Sequence, residues 1–202
     1  MKQANLSLSR RFRGLLPIVV DVETSGLIPE TDALLEIAAV TLEMDQEGKL
    51  SPKQTLAFHV ESFLGARLEP EALAVTGIDP THPLRYALPE GQALERIFSH
   101  LKQELELTGC YRAVLVGHNA WFDLSFILAA VKRSGLKYNP FHTFTTLDTA
   151  ALSAVAFGET VLARAVKRAR IPFDVLQAHS AIYDAERTAE LFCSIVNQIQ
   201  KR

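Results

Sequence analysis

The stretch VVDVETSG, residues 19–26, places two acidic residues at alternate positions of an apolar run. Alternate residues of a β-strand point to the same face, so Asp21 and Glu23 are expected to lie side by side. The apolar segment 17–24 predicts the first strand of the protein, and Gly26 marks its end. Sites in open α/β sheets tend to form where strands end, and a carboxylate pair there suits a divalent cation. Taken alone, however, the pair better suits capping of the following turn or ion pairs with arginines.

The segments that follow predict a sheet with helices around it. Residues 31–45 and 54–62 predict two further strands, and the turn at 46–48 joins them into an antiparallel meander. Helices and single strands then alternate: helices over 69–79 (ending at Gly77), 90–109, 121–135, 150–156, 160–170 and 178–200, and strands over 111–119 and 144–149. This order predicts an α/β fold with a mixed sheet, in one domain over 1–202 that opens with a basic segment, 1–16.

Composition narrows the class of protein. The chain has 202 residues, of which 48% are apolar and 22% charged, with a net charge of −2, so it suits one domain with a full core. This balance excludes a generally basic nucleic-acid coat, and any affinity for nucleic acid must come from local cationic clusters or bound metal ions.

The N-terminus and the cysteines predict a soluble, cytoplasmic protein. The apolar run after Arg13 is short, contains Pro17 and meets Asp21 at once, which does not fit a signal peptide. No segment approaches the roughly 20 apolar residues that span a bilayer. Cys110 and Cys193 lack C-x-x-C spacing, so we expect buried thiols in a reducing compartment.

Two other stretches carry acids that become informative when they are combined with the first pair. Asp123 lies in GHNAWFDLSF (117–126), and His179 and Asp184 lie in AHSAIYDAERTAELF (178–192). Taken alone, Asp123 suits the first turn of a helix, and a histidine near a helix terminus is commonly a cap or a solvated residue. Four acids from three separate elements suit a pair of divalent cations, and a histidine can take a proton from water.

The stretches DVET, HNAWFD and HSAIYDAERTA resemble the three motifs of the DEDD exonuclease superfamily, and the H-x-x-x-x-D spacing is that of its histidine subclass. The resemblance implies a ribonuclease H-like fold, with a mixed five-stranded sheet flanked by helices. It implies 3′-to-5′ removal of nucleotides with two Mg²⁺ or Mn²⁺ ions. The implied metal ligands are Asp21, Glu23, Asp123 and Asp184, with Asp21 bridging both ions, and the implied general base is His179.

Further segments, RFRG, TDALLEIAAVTL, EALAVTGIDP, NPFHTF and DTAAL, are similar to bacterial members of the superfamily that trim RNA. This similarity covers nearly the whole chain. It implies a homodimer acting on the 3′ ends of transfer RNA and other stable RNAs, and on single-stranded DNA. The implied substrate-binding residues are Thr24, Glu71, Phe122 and Phe144, together with basic residues that reach RNA in the partner's site: Arg11, Arg13, Arg112 and Lys137.

Several plain alternatives stay open at this point. Phe122 and Phe144 also suit core packing, and Glu71 also suits a first-turn helix acid. Leu27 and Val75 stand where such relatives tend to have phenylalanine, and Glu106 stands where they tend to have a basic residue. These departures bear on base discrimination and RNA affinity. The alternative functions are a DNA-proofreading exonuclease, an inert RNA-binding protein on the same fold, and a hydrolase of small phosphoesters.

Overall fold

The structure is a computed structural model that describes residues 7–200. Within these residues, five strands form one mixed sheet in the order β3-β2-β1-β4-β5. The strands are β1 (Leu15–Thr24), β2 (Leu34–Met44), β3 (Leu50–His59), β4 (Arg112–Gly117) and β5 (Phe141–Asp148). The predicted α/β fold with a mixed five-stranded sheet is confirmed.

Seven helices surround this sheet in the described part of the chain. They are α1 (Leu8–Arg11), α2 (Pro70–Thr76), α3 (Glu90–Thr108), α4 (Trp121–Arg133), α5 (Thr149–Phe157), α6 (Leu162–Arg168) and α7 (Ala181–Gln200). Helix α7 packs across β1, β2 and β3, while α3 and α4 contact each other and the sheet. Helix α1 has only four residues and is not among the helices predicted from the sequence.

Strand β1 is the centre of the sheet, and its surroundings explain its composition. It pairs antiparallel with β2 and parallel with β4. Ile18, Val19 and Val20 are almost completely buried because neighbours cover both faces of the strand. The acids at its end therefore interrupt an otherwise continuous apolar run.

Strands β1, β4 and β5 are parallel, so they end at the same edge of the sheet. We call this the carboxyl edge, and it is defined by Thr24, Gly117 and Asp148. The opposite amino edge is defined by the first residues of the same strands, Leu15, Arg112 and Phe141. The two edges separate the acidic and the basic residues that the sequence analysis selected.

The cysteines, possible membrane spans and the N-terminal segment were the remaining subjects of prediction. Cys110 and Cys193 are both buried free thiols, as expected. In the segment 7–200, no single helix is long and apolar enough to cross a bilayer, and only α5 and α6 taken together, bent by 44°, reach that length and composition. Of the predicted basic segment 1–16, residues 1–6 lie outside the described residues.

Candidate active site

The structure brings the four predicted acids and the predicted histidine together at the carboxyl edge. Asp21 and Glu23 come from the end of β1, Asp123 from the first turn of α4, and Asp184 from the first turn of α7. Ligand atoms of Glu23, His179 and Asp184 all lie within 4.8 Å of one another. Asp21 lies close enough to Asp123, Glu23 and Asp184 for their charges to act on it.

A short backbone contact fixes Asp123 beside the β1 acids. Its Oδ1 accepts a hydrogen bond from the backbone N–H of Val22 at 3.1 Å. The approach of α4 to β4 depends on Gly117, since a Cβ there would lie 3.0 Å from Asp123 Oδ2 and 3.0 Å from the Ala120 Cα. A side chain at residue 117 would displace the turn that carries Asp123, which explains the glycine in the GHNAWFD stretch.

His179 and Asp184 form a local unit ahead of α7. His179 has a left-handed backbone, with φ of 65°, and is the last residue of the turn 175–179 that precedes the helix. Its N–H donates to Asp184 Oδ2 at 3.0 Å. The predicted helix start at residue 178 is wrong by three residues because of this backbone turn. The ring of His179 remains exposed at the mouth of the site.

Asp184 also presents an unsatisfied oxygen. Its Oδ1 is buried and has no hydrogen-bond partner among the described residues. A buried carboxylate oxygen without a donor is costly unless a cation or another donor compensates it. The arrangement therefore offers an atom that a metal ion would satisfy.

The electrostatics of the cluster point to the same conclusion. Burial, and then the charges of Asp123 and Glu23, raise the pKa of Asp21 well above its ordinary value. Burial, and then Asp184 and Glu36, raise the pKa of Glu23 to about 8. Burial also raises the pKa of Asp123 and of Asp184, although hydrogen bonds from backbone N–H groups oppose the shift. Carboxylates held this close repel one another in the absence of a cation.

The donor set fits a hard divalent cation. Mg²⁺ and Mn²⁺ prefer oxygen ligands, and the cluster supplies carboxylate oxygens from three elements of the fold. Glu23, His179 and Asp184 lie close enough together for one ion to contact all three, and Asp184 has an oxygen without a hydrogen-bond partner among the described residues.

Two of the residues that the resemblance implies for substrate, Thr24 and Glu71, lie at and just beyond the end of β1. Thr24 is buried, and its hydroxyl donates to the carbonyl of Gly26 at 2.7 Å. Glu71 is exposed in the first turn of α2. That helix is tied to the end of β1 because the N–H of Glu69 donates to the carbonyl of Ser25 at 2.8 Å.

The two predicted aromatic residues differ in burial. Phe122 is half-buried and packs on Phe126 and Trp121, with ring centroids 5.0 and 5.9 Å apart. Phe144 is 90% exposed on β5, which excludes core packing for that side chain. Leu27 and Val75, the positions where the sequence departs from the resemblance, are both mainly exposed.

The predicted basic residues do not join the acids. Arg11 and Arg13 precede β1, Arg112 begins β4, and Lys137 lies between α4 and β5, so all four lie toward the amino edge. Arg11 donates to the carbonyls of Gly48 and Val196, at 2.5 and 3.2 Å. Arg112 donates through Nε and Nη2 to the carbonyl of Phe141. Arg13 and Lys137 are exposed.

Two acids near the site were not predicted from the sequence as site residues. Glu36 of β2 lies directly opposite Glu23, and its Oε1 is 2.9 Å from His59 Nδ1. Asp148 ends β5 and accepts from the N–H groups of Asn119, Ala120 and Ala150, at 3.2, 3.1 and 2.8 Å. Local sequence patterns do not single out Glu36 in LLEIAA or Asp148 in DTAAL. The contacts of these two acids depend on strand register and on a turn elsewhere in the chain.

Comparison with known proteins agrees with this geometry. The sequence profile of the family described as Exonuclease matches residues 18–192. Ribonuclease T of Yersinia enterocolitica is 58% identical over 195 residues, covering 96% of this chain and 91% of the relative. Ribonuclease T of Salmonella typhimurium is 58% identical over 191 residues, covering 95% of this chain and 89% of the relative.

Solved structures show the same fold at low sequence identity. Exonuclease I of E. coli, in complex with a dT13 oligonucleotide, superposes with a TM-score of 0.70 at 19% identity. The match covers 93% of this chain but only 42% of that longer protein. A 3′-exonuclease that recognises the histone mRNA stem-loop has a TM-score of 0.69 at 18% identity, covering 90% of this chain and 63% of that one.

The fold and the acidic cluster define a metal-dependent 3′-to-5′ exonuclease. Within that class, the chain belongs to the exonuclease family and is of the ribonuclease T type.

Proposed function

We propose that the protein removes nucleotides from the 3′ ends of transfer RNA and other stable RNAs, in end turnover and 3′ maturation, and also from single-stranded DNA. The observation that carries the proposal is the cluster of Asp21, Glu23, Asp123, Asp184 and His179 at the exposed carboxyl edge. The ribonuclease T relatives supply the support for RNA as the substrate. Structural neighbours that bind nucleic acid support a nucleic-acid 3′ end as the ligand of this cluster.

The proposed chemistry assigns a role to each side chain. Two Mg²⁺ or Mn²⁺ ions held by Asp21, Glu23, Asp123 and Asp184 would activate a water and stabilise the leaving oxygen. Asp21, which adjoins the other acids, would help to hold both ions. His179, exposed at the mouth, takes the proton of the attacking water. The water oxygen bonds to the phosphorus of the terminal nucleotide, and the bond from that phosphorus to the 3′ oxygen of the preceding nucleotide breaks. The terminal nucleotide leaves as a nucleoside 5′-monophosphate, and the preceding nucleotide takes up a proton and becomes the new 3′ end.

The substrate would lie between the end of β1 and the start of α4. We expect Glu71 and the backbone of Thr24 to contact the terminal nucleotide and Phe122 to stack on a base. Phe144, exposed on the edge strand β5, is proposed to stack on a base outside this position. The exposed aliphatic side chains of Leu27 and Val75 offer apolar contact but no ring. We therefore expect weaker discrimination among terminal bases than four aromatic rings would give.

The basic residues support a homodimer. Strand β1 rises about 3.3 Å per residue, so Asp21, six residues after Leu15, lies about 20 Å from the amino edge. Arg13 and Lys137 are consequently too far from the acids of their own chain to hold the scissile phosphate. A second copy that presents its amino edge to the carboxyl edge of the first would place these cations on the RNA.

The cellular setting follows from the substrate. An enzyme that trims transfer RNA acts in the cytoplasm, and buried free thiols suit a reducing compartment.

The test is a comparison of kcat/KM on matched substrates. Transfer RNA with an intact 3′ end, a single-stranded RNA and a DNA of the same sequence are digested with Mg²⁺, and released nucleotides are quantified. We expect cleavage of all three, with transfer RNA and RNA at least equal to DNA. DNA as the sole substrate would instead establish the proofreading alternative, and binding without cleavage would establish the inert RNA-binding protein.

A further inference from the structure

Trp121 is an exposed aromatic side chain beside the candidate active site. It is the first residue of α4, two residues before Asp123, and 66% of its side-chain surface is accessible. Its indole meets the Phe122 ring edge-to-face, with centroids 5.9 Å apart and planes at 87°. The indole remains largely exposed despite this contact.

The start of α4 lies at the carboxyl edge of the sheet, and Trp121 and Asp123, two positions apart, point to different sides of this helix. Cα–Cβ bonds of an α-helix tilt toward its N-terminus, and α4 begins four residues after Gly117, the last residue of β4. Side chains of the first turn therefore project beyond the carboxyl edge of the sheet. Asp123 of the same turn is held against Val22, which places this helix end beside β1.

The turn that carries Trp121 is also held in place. The carboxylate of Asp148 accepts from the N–H groups of Asn119 and Ala120, the two residues that precede Trp121. The adjacent Phe122 ring is in turn supported by Phe126 of the core, with centroids 5.0 Å apart. A ring held on a fixed backbone loses little conformational entropy when it binds a flat ligand.

We propose that Trp121 is a base-stacking residue for the single-stranded substrate, which binds a purine or pyrimidine near the 3′ end beside Phe122. The inference rests on the proposed function and adds a residue to its binding site. Single-stranded nucleic acids are held by aromatic rings that stack on bases, and this binding tolerates every base because each has a π face. Trp121 and Phe122 then form two adjoining aromatic surfaces at the start of α4, at the carboxyl edge of the sheet.

The sequence provides a direct probe, because Trp121 is the only tryptophan in the chain. The first experiment measures its fluorescence in His179→Asn protein with Mg²⁺, so that the oligonucleotide stays intact during the titration. A single-stranded RNA is compared with the same strand carrying abasic nucleotides at its last positions. We expect quenching by the intact RNA and little change with the abasic strand, which has the same phosphates.

The second experiment measures cleavage by the Trp121→Ala and Trp121→Phe variants. Loss of one stacking surface should raise KM for single-stranded RNA by roughly tenfold and leave the single-turnover rate at saturation nearly unchanged. Trp121→Phe should restore most of the affinity because it retains a ring. Tyr86→Ala is the matched control, since Tyr86 is 84% exposed on the loop between α2 and α3.

The outcomes separate this inference from the proposed function. Fluorescence that does not change at saturating RNA, with an unaltered KM in Trp121→Ala, would overturn the stacking role while cleavage by the unaltered protein upheld the exonuclease. Fluorescence that responds to protein dilution and not to RNA would assign Trp121 to a contact between two copies, which also overturns it. Absence of both RNA binding and cleavage would remove the inference together with the proposed function.

Discussion

Asp123 Oδ1 accepts a hydrogen bond from the backbone N–H of Val22 at 3.1 Å, and Val22 lies between Asp21 and Glu23 in β1. The bond fixes the acid of α4 against the pair of acids on the neighbouring strand. A side chain anchored to backbone keeps its position when a cation binds or leaves, so this part of the site is preorganised.

The first prediction concerns Asp21, which adjoins the other acids. Asp21→Asn should lower the rate of cleavage by at least about a hundredfold, because a neutral amide cannot share two cations as a carboxylate does. The fold should persist, since the substitution preserves shape and removes a repelled charge. Cleavage and circular dichroism are compared with those of Glu30→Gln, whose side chain is exposed. Full activity in Asp21→Asn would refute its assignment as a metal ligand.

The second prediction tests His179 as the general base. Asparagine tolerates the left-handed backbone at this position, and the N–H that donates to Asp184 is retained. His179→Asn should therefore bind RNA normally but turn over roughly 10²–10⁴ times more slowly. His82→Asn is the control because His82 is exposed on a loop. A variant with normal single-turnover rates would exclude His179 from proton transfer.

The third prediction concerns pH and metal removal. The pKa of Glu23 is about 8 in the folded protein against an ordinary value of 4.5, so the metal-free fold binds a proton that the unfolded chain releases between these values. The stability of the metal-free protein should fall as pH rises through this window and level off above it. Thermal melts in EDTA should show a lower Tm at pH 8 than near pH 5.5.

Glu23→Gln should flatten this pH dependence, and Glu61→Gln, at an exposed position, should leave it unchanged. Mg²⁺ should raise Tm more at pH 8 than near pH 5.5, because the cation binds the deprotonated carboxylates. The contrary result is a Tm of the metal-free protein that rises from pH 5.5 to pH 8, by the same amount in Glu23→Gln and Glu61→Gln. That result would contradict the interpretation of the cluster.

The fourth prediction assigns Asp148 to positioning. Asp148→Ala removes the acceptor for three N–H groups, so the free energy of unfolding should fall by about 1–2 kcal/mol. Turnover should also fall, because the turn before Asp123 loosens. The matched control is Asp45→Ala, which removes the acceptor for the N–H groups of Glu47 and Lys49 in the β2–β3 turn.

The control should lose stability and keep its turnover number. Asp148→Asn, which retains a side-chain oxygen, should recover part of both quantities. Equal turnover in Asp148→Ala and Asp45→Ala would show that Asp148 has no specific effect on the site.

The fifth prediction tests the proposed dimer by complementation. Consider a mixed dimer of one Asp21→Asn subunit and one Arg13→Ala subunit. The Arg13→Ala subunit has intact acids, and the Asp21→Asn subunit has an intact Arg13. If Arg13 acts on RNA in the partner's site, one of the two sites is therefore complete. Co-expression of the two variants should therefore restore activity that neither has alone. The salt dependence of RNA binding should fall in Arg13→Ala homodimers. Failure of an isolated mixed dimer to regain activity would place Arg13 in the site of its own chain or outside the RNA path.

Local sequence signals were sufficient for much of the fold and for the acids. The apolar run of β1 and the glycine ends of α2 and α3 are visible in the sequence, as is the alternation that places Asp21 beside Glu23. The sequence did not reveal Glu36 and Asp148, whose roles depend on strand register and on a turn about 28 residues away in the chain. The separation of Arg13 from the acids also required the direction of β1 within the sheet.

The most direct measurement is a time course on single-stranded RNA labelled at its 5′ end, with Mg²⁺, with EDTA and with the His179→Asn variant. The account predicts a ladder of products shortened one nucleotide at a time from the 3′ end, with release of nucleoside 5′-monophosphates. It predicts no ladder in EDTA and a much slower one with the variant. Internal cleavage, or a ladder of undiminished rate in EDTA, would contradict the assignment of the acidic cluster as a metal-dependent 3′-to-5′ exonuclease site.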